Sequence, residues 1–239
     1  MEAVKDNTVV VIPSYNEART IGSIVLNIVK MGLSVLVIDD GSIDNTERIA
    51  LDNGAMVIRH RQNIGKGFSV REGIKYVLSK TNFEWMIIMD GDGQHRAEDI
   101  PGLMTETHHG EVDIVTGNRM LETKTMPSLR YVTNKFMSWV ISGICRQSIP
   151  DTQCGYRLIR VCALKKLKLM SEKYDIESEM LLQAAESNMR IKSVPIQTIY
   201  GEEVSDIKPL RDTLKFCDLI FRHYFNRKNN LKMNLGDKK

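Results

Sequence analysis

Two acidic residues, Asp90 and Asp92, stand two positions apart directly after the apolar run MIIM at residues 86–89. Two carboxylates at this spacing can bind one hard cation through their oxygen atoms. Gln94 adds a neutral oxygen and His95 a ring nitrogen. A cation held in this way stabilises the negative charge that develops when a bond to a phosphate is broken. The segment therefore predicts a cation site suited to phosphate chemistry.

Polar residues also follow two other apolar runs, at the point where each run ends. VLVI at residues 35–38 leads directly into Asp39 and Asp40, and VDIVT at residues 112–116 ends just before Arg119. In open α/β sheets, ligands bind at the carboxyl ends of the strands. A single Asp-Gly after a strand is ordinary turn chemistry, but three such segments indicate one shared functional edge.

Short β-branched runs alternate with amphipathic helical stretches in the first half of the chain. Apolar residues recur at helical spacing between the runs, as in Ile21, Ile24 and Ile28. The runs predicted as buried strands are residues 9–12, 35–38, 56–58 and 86–89. This alternation is typical of parallel sheets with helical crossovers. We therefore predict an α/β fold with a mainly parallel central sheet flanked by helices.

The second half of the chain has weaker patterns. Residues 131–144 and 176–185 are predicted as helices, and residues 194–200 as an edge strand, because Pro is tolerated at a sheet edge. Trp85 and Trp139 are expected in the core, since neither lies in an acid-bearing segment.

The composition excludes several classes of protein. The chain has 239 residues, 42% of them apolar, which excludes an intrinsically disordered chain. A net charge of +3 is too balanced to indicate a nucleic-acid partner. The 4 cysteines form no CxxC pair and are expected to be reduced core thiols, as in cytoplasmic proteins. No stretch suits a signal peptide or a membrane span, which leaves peripheral contact with the cytoplasmic face of a membrane open.

Four motifs occur in order along the chain. They are PSYNE at residues 13–17, DDGSID at 39–44, DGDGQH at 90–95 and DTQCGYR at 151–157. In this order and spacing they resemble the family 2 glycosyltransferases with the GT-A fold, and most of all the dolichyl- or polyprenyl-phosphate sugar transferases. The resemblance covers about residues 8–200. It implies a Rossmann-like nucleotide-binding half within the α/β fold.

The resemblance assigns residues to the donor pocket. It implies a nucleoside-diphosphate sugar and a Mg²⁺ or Mn²⁺ ion bound by Asp90, Asp92 and Gln94, with Asp92 also counted as catalytic. The other residues implied at the donor are Pro13, Tyr15, Glu17, Asp39, Asp40, Lys66 and Gly91. Lys66 lies in a Gly-Lys-Gly segment, which would equally suit a turn that opens a helix.

The resemblance also implies residues for the acceptor and for catalysis. Arg119 is expected to face a phosphate, and Arg130 with Asn134 matches a pair that grips the acceptor phosphate, although Asn replaces a hydroxyl residue here. Glu179 matches a Glu near the family's active site, at a helix start where acids are favoured in any case. Asp151 is the predicted general base for a hydroxyl acceptor, and its position would also suit a turn or helix cap.

The predicted reaction is the inverting transfer of a hexose to a polyprenyl or dolichyl phosphate for glycan assembly. A UDP-sugar is the favoured donor, because DGDGQ differs from the DADLQ common in mannosyl enzymes, and GDP-mannose stays open. A hydroxyl acceptor in polysaccharide or glycan synthesis is the alternative. A non-catalytic nucleotide-sugar-binding subunit is the second alternative. A nucleotidyltransferase is disfavoured, because residues 13–17 lack a Gly-rich basic loop.

The chain is predicted to divide into a GT-A catalytic domain, residues 1–205, and a basic amphipathic helical tail, residues 206–239. Apolar residues such as Leu214 and Phe221 are interspersed there with cations such as Lys215. A helix of this kind can lie on a membrane surface, dock on the body of the protein or pair two subunits in a homo-oligomer.

Overall fold

A β-sheet runs through the centre of the protein. The computed structural model describes residues 7–109, 112–121, 126–171, 175–199 and 216–221. The strands within these residues are β1 Thr8–Ser14, β2 Ser34–Asp39, β3 Met56–Arg59, β4 Trp85–Ile88, β5 Ile114–Asn118, β6 Arg157–Arg160 and β7 Ile191–Pro195. They form one sheet in the order β3-β2-β1-β4-β6-β5-β7.

Helices cover both faces of this sheet. Those in the described residues are α1 Ile21–Lys30, α2 Thr46–Asp52, α3 Lys66–Lys80, α4 Ile100–Thr105, α5 Ser128–Cys145, α6 Val161–Leu164 and α7 Ile176–Glu186. Residues 216–221 are also helical. The predicted helices at residues 131–144 and 176–185 lie within α5 and α7. The predicted edge strand, residues 194–200, overlaps the edge strand β7 only at residues 194–195, so its bounds are wrong.

The sheet is mainly parallel, as the strand–helix alternation predicts. β1 pairs in parallel with β2 and β4, β2 pairs in parallel with β3, and β5 pairs in parallel with β7. β6 runs antiparallel to both of its neighbours, β4 and β5. The predicted fold class is confirmed, and β6 is a strand that the sequence patterns do not indicate.

Side chains of β1 alternate between two apolar layers because successive residues of a strand point to opposite faces. Val9 and Val11 belong to the layer that packs against α3, α5 and α7. Val10 and Ile12 belong to the layer that packs against α1, α2 and α4. All four are at most 1% exposed, which explains why the run is continuously apolar instead of alternating.

The loops that follow β1, β2, β4 and β5 meet at one edge of the sheet. Ser14 at the end of β1 is in register with Asp39 at the end of β2, and the Asp40 amide donates to the Ser14 carbonyl at 2.8 Å. Asp90 follows β4 by two residues. Because parallel strands end at the same edge, the acidic segments lie together, as predicted.

The reversed direction of β6 brings a further segment to the same edge. Arg157, the first residue of β6, pairs with Ile88 of β4 and with Thr116 of β5, close to the carboxyl ends of both strands. Residues 151–156 directly precede β6 and therefore also lie at this edge. The antiparallel strand thus explains how the fourth motif joins the other three.

Two predictions about buried residues have different outcomes. Trp85 is 2% exposed and lies in the core, as predicted. Trp139 is 73% exposed, so its predicted core position is wrong. The buried face of α5 is formed by other residues, among them Met137 and Ile141, and Trp139 lies on the opposite face. Cys145 and Cys154 are buried thiols as predicted, whereas the remaining two cysteines are exposed.

Most of the predicted tail, residues 206–215 and 222–239, lies outside the described residues. Phe216 is 6% exposed and packs in the same apolar layer as Met137 of α5 and Met180 of α7. Among the described helices, none has the length and apolar character needed to cross a membrane.

Candidate active site

A partly buried ammonium group lies between two carboxylates at the edge of the sheet where the acidic segments meet. Lys66, the first residue of α3, places its Nζ 2.7 Å from Asp90 Oδ1 and 2.6 Å from Glu177 Oε1. Burial would lower the pKa of Lys66, but the charges of Asp90 and Glu177 outweigh it and raise the pKa. Lys66 is therefore a permanent cation in the site.

The two carboxylates of the D-x-D segment differ in their environments. Burial would raise the pKa of Asp90, but Lys66 and His95 hold it well below its ordinary value. The pKa of Asp92 is raised by burial and by the negative charge of Asp90. The Gln94 amide donates to Asp92 Oδ1 at 2.9 Å, which fixes the turn between them.

These residues fit a divalent cation. Asp90 and Asp92 repel each other's charge, and a cation shared by both would relieve that repulsion. In the described part of the chain, no three His, Cys, Asp or Glu side chains form a ready-made metal cage. Mg²⁺ is often held by one or two carboxylates together with substrate phosphates and water, so the pair suits a cation that arrives with a diphosphate.

A threonine that no motif indicated ties the first and third motifs together. Thr20 Oγ1 donates to the Gly91 carbonyl at 2.6 Å and lies 3.3 Å from Glu17 Oε2. A Cβ on Gly91 would lie 2.5 Å from Ser14 Oγ, so only glycine lets these segments approach so closely. Glu17 and Gly91, both predicted at the donor, are thus brought together.

The acids at the end of β2, Asp39 in the strand and Asp40 directly after it, hold the neighbouring loops. Asp39 Oδ1 accepts from the Ser42 amide at 2.9 Å. Asp40 accepts from the Ile64 amide at 3.0 Å and the Gly65 amide at 2.7 Å. His60 Nδ1 lies 2.8 Å from Asp40 Oδ1, a partner that sequence reasoning missed. Both acids are buried at the predicted pocket, and their contacts shape the loop that leads to Lys66.

The segment after β1 is anchored through its backbone. Asn16 adopts a positive φ of 57° and donates its amide to Ser42 Oγ at 2.9 Å, and the Glu17 amide donates to Thr46 Oγ1 at 2.8 Å. Pro13 is a buried residue of β1, while Tyr15 is 42% exposed. The Tyr15 ring is therefore available to a ligand at this edge.

A second ion pair, which is fully buried, joins Arg119, directly after β5, to Asp151. Asp151 accepts from Arg119 Nε at 2.7 Å, from its Nη2 at 2.9 Å and from its backbone amide at 3.1 Å. Burial would raise the pKa of Asp151, but the charge of Arg119 lowers it. In this arrangement Asp151 orients Arg119. Its predicted role as a general base would require the pair to open first.

The other residues predicted at the acceptor lie on α5 and α7. Asn134 is 7% exposed, and its Nδ2 has no hydrogen-bond partner within the described structure. Arg130 lies one helical turn earlier on α5. Glu179 accepts from the backbone amides of Met170 and Ser171, at 2.9 Å and 2.8 Å, so its contacts in this structure hold that loop.

Sequence reasoning undervalued two charged residues. Acids are common at a helix start, so the position of Glu177 did not indicate its ion pair with Lys66. The sequence feature that could have indicated it is the mainly buried, largely apolar helix that follows this acid. Arg157 is 1% exposed and donates to the carbonyls of Thr152, Cys154 and Glu177. It joins the segment before β6 to α7. Its place at the end of the fourth motif, directly before an apolar pair, was the available signal.

The chain is similar in sequence to named sugar transferases. The UDP-N-acetylglucosamine–dolichyl-phosphate N-acetylglucosaminyltransferase of Methanococcus voltae is 30% identical over 215 residues, which cover 80% of this chain and 85% of that protein. The dolichyl-phosphate beta-glucosyltransferase of Saccharomyces cerevisiae is 28% identical over 223 residues, covering 78% of this chain and 65% of that protein.

A solved structure and a family model extend the comparison. The glucosyl-3-phosphoglycerate synthase of Mycobacterium tuberculosis, in complex with Mn²⁺, UDP and phosphoglyceric acid, superposes with a TM-score of 0.71 at 19% identity, covering 95% of this chain and 80% of that one. This likeness shows the GT-A fold. The model of the family named glycosyl transferase family 2 matches residues 9–168, more than half of the chain. The chain belongs to this family and is a glycosyltransferase.

Proposed function

We propose that the protein transfers a hexose from a UDP-sugar to a polyprenyl or dolichyl phosphate, with inversion at the sugar carbon. The observation that carries the choice of acceptor is the Arg119–Asp151 pair. The predicted base is fully engaged by a guanidinium, and its pKa is lowered, so it is poorly suited to remove a proton. A phosphate acceptor needs no such base.

The donor half of the site is suited to a leaving diphosphate. Asp90, Asp92 and Gln94 would hold a Mg²⁺ or Mn²⁺ ion, which when bound supplies a Lewis acid for the charge that develops on the leaving phosphates. Lys66 contributes a fixed positive charge next to Asp90. Tyr15 offers an exposed ring to the base or sugar. These residues support a nucleoside-diphosphate sugar as the donor.

The acceptor half is suited to a phosphate monoester. The second pKa of a phosphate is about 6, so at neutral pH most of the acceptor is already a dianion able to attack. The Asn134 side chain is buried, its Nδ2 has no hydrogen-bond partner among the described residues, and a phosphate oxygen would accept a hydrogen bond from it. Arg130, on the same helix, would add a charge-assisted contact. Arg119, oriented by Asp151, would supply a further positive charge to a phosphate.

The relatives support this choice of substrates. The Methanococcus voltae protein is named for a UDP-sugar and for dolichyl phosphate, and the yeast protein is also named for dolichyl phosphate. A UDP-sugar is therefore preferred over GDP-mannose. A lipid-linked acceptor also favours action at a membrane surface.

A transfer assay with a matched acceptor pair tests the proposal. Labelled UDP- and GDP-sugars are incubated with the protein and Mn²⁺, either with a polyprenyl phosphate or with the corresponding polyprenol. We expect label in the lipid phase with a UDP-sugar and the phosphate only. Label on the polyprenol would favour a hydroxyl acceptor, with Asp151 released from Arg119 to act as base. Donor binding without transfer to either lipid would contradict the proposal.

A further inference from the structure

The outer face of α5 carries four large apolar side chains in a row. Leu129, Val132, Phe136 and Trp139 are 60%, 61%, 48% and 73% exposed. Their spacing of three, four and three residues places them on one side of a helix. The Phe136 and Trp139 rings lie 6.4 Å apart and form a continuous surface. We call these four residues the α5 face.

The α5 face does not belong to the fold's own core. The residues of α5 that pack against the body are Asn134, Met137, Ser138, Ile141 and Cys145, on the opposite side of the helix. Contiguous exposed apolar surface of this kind marks a site of contact with another surface. Trp and Phe side chains in particular are typical of contact with a membrane interface.

The charges of α5 and its flanking residues indicate which kind of surface the α5 face contacts. Residues 126–146 contain Arg130, Lys135 and Arg146 and no acidic residue. Lys135 lies over the Tyr131 ring at 5.4 Å, beside the apolar row. A second copy of the chain docked through the same face would bring these cations against their equivalents, which is unfavourable. An anionic lipid surface complements both the apolar row and the cations.

We propose that the α5 face docks on the surface of an anionic lipid bilayer, with the four side chains inserted at the headgroup level. The same helix carries Asn134 and Arg130, so docking would bring the predicted acceptor residues within about one helix diameter, ~10 Å, of the lipid headgroups. The inference rests on the proposed function for its biological purpose, because a lipid-linked phosphate lies at that depth. The docking itself can be measured without any transfer.

Vesicle binding tests the α5 face directly. Phosphatidylcholine vesicles with and without phosphatidylglycerol are sedimented with the full chain and with a Phe136→Ser, Trp139→Ser double variant. Removing two large apolar side chains from a lipid contact should weaken partitioning roughly 30-fold. We expect binding to the anionic vesicles, loss of binding on addition of salt, and this weakening in the double variant.

The control variant is Leu51→Ser. Leu51 is also an exposed apolar residue, at 50%, but it lies on α2 and not on the α5 face. This variant should bind vesicles like the unchanged protein. Trp139 supplies a second signal: because Trp85 is 2% exposed, a vesicle-dependent blue shift of the emission reports on Trp139. Absence of binding to anionic vesicles, or equal binding by the double variant, would overturn the inference.

Two further measurements distinguish lipid docking from dimer formation through the same face and from the proposed transfer reaction. If sedimentation equilibrium gives a dimer that the double variant loses, and vesicles cause no shift, the face pairs two copies and the lipid proposal is wrong. Transfer to a short-chain polyprenyl phosphate in detergent should survive in the double variant, whereas transfer on vesicles should fall. Vesicle binding without any transfer would uphold the docking and reject the proposed function.

Discussion

Substituting Gly155 with Ala is expected to damage the reaction without weakening the fold. An added Cβ at this position would lie 2.8 Å from Asp90 Oδ2 and 3.0 Å from Lys66 Nζ. Ordinary contact begins at 3.4 Å, so the carboxylate would have to move by about 0.6 Å and the ammonium by about 0.4 Å. The two groups are joined at 2.7 Å and must therefore move together.

The size of the effect follows from this displacement. A misplacement of about 1 Å at a reacting centre costs on the order of 100-fold in rate, so about half of that should cost about 10-fold. The backbone at Gly155 does not have a positive φ, so alanine can adopt its conformation without strain. We expect turnover about 10-fold lower, a higher Mn²⁺ requirement and nearly unchanged thermal stability.

Two other glycines provide matched controls for the same chemical change. A Cβ on Gly102 meets nothing within 4 Å, so Gly102→Ala should keep full activity and gain up to ~1 kcal/mol from helix propensity. A Cβ on Gly73 would lie 2.5 Å from Val11 Cγ1 in the core, so Gly73→Ala should cost about 1–3 kcal/mol of stability. If Gly155→Ala keeps turnover and Mn²⁺ response within about twofold of the parent protein, Asp90 and Lys66 do not act at the reacting centre.

Three further substitutions test separate parts of the site. Asp92→Ala should abolish the Mn²⁺ dependence of UDP binding, measured by calorimetry with and without the metal; an unchanged metal response would contradict the predicted ligand set. Glu177→Gln removes the negative charge of one of the carboxylates that contact Lys66, so half-saturation in activity assays should need about 5-fold more Mn²⁺. Asp151→Asn removes the carboxylate charge that lies 2.7 Å from Nε of the buried Arg119 and should cost about 3 kcal/mol at neutral pH in urea unfolding. Because the pKa of Asp151 is lowered in the folded state, its contribution is complete above pH ~4 and disappears as the pH falls through the folded value, so the gap between the two proteins should narrow in acid. A gap that stays constant down to pH ~3 would argue against a charged pair.

Local pattern predicts the first half of the fold well. Ile21, Ile24, Val25 and Ile28 form the buried face of α1, and β1, β2 and β4 lie where the apolar runs indicated. These elements follow from short-range periodicity, which is visible in one sequence. The position of Asp90 and Asp92 at the sheet edge follows in turn from the strand before them.

The rest depends on contacts between distant residues. β6 has four residues and begins with an arginine, and its direction is set by pairing with β4 and β5. Trp139 is exposed because the inner face of α5 is filled by smaller and polar residues such as Ser138, which lies 3.2 Å from Thr152. The Lys66–Glu177 pair joins the starts of two helices that no sequence period relates. Contacts between residues so far apart in sequence can be identified only from the folded structure.

The two ion pairs of the site are held in a fixed relation by Arg157. Its guanidinium donates to the Thr152 and Cys154 carbonyls on the segment that follows Asp151, and to the Glu177 carbonyl beside the Lys66 pair. Buried ion pairs add little net stability, because desolvation offsets most of their attraction. Charges kept this way are instead already oriented when a substrate arrives, which is the condition for electrostatic catalysis. Arg157 therefore ties the segment after Asp151 to the start of α7, and so links the ion pair of Arg119 and Asp151 to that of Lys66 and Glu177.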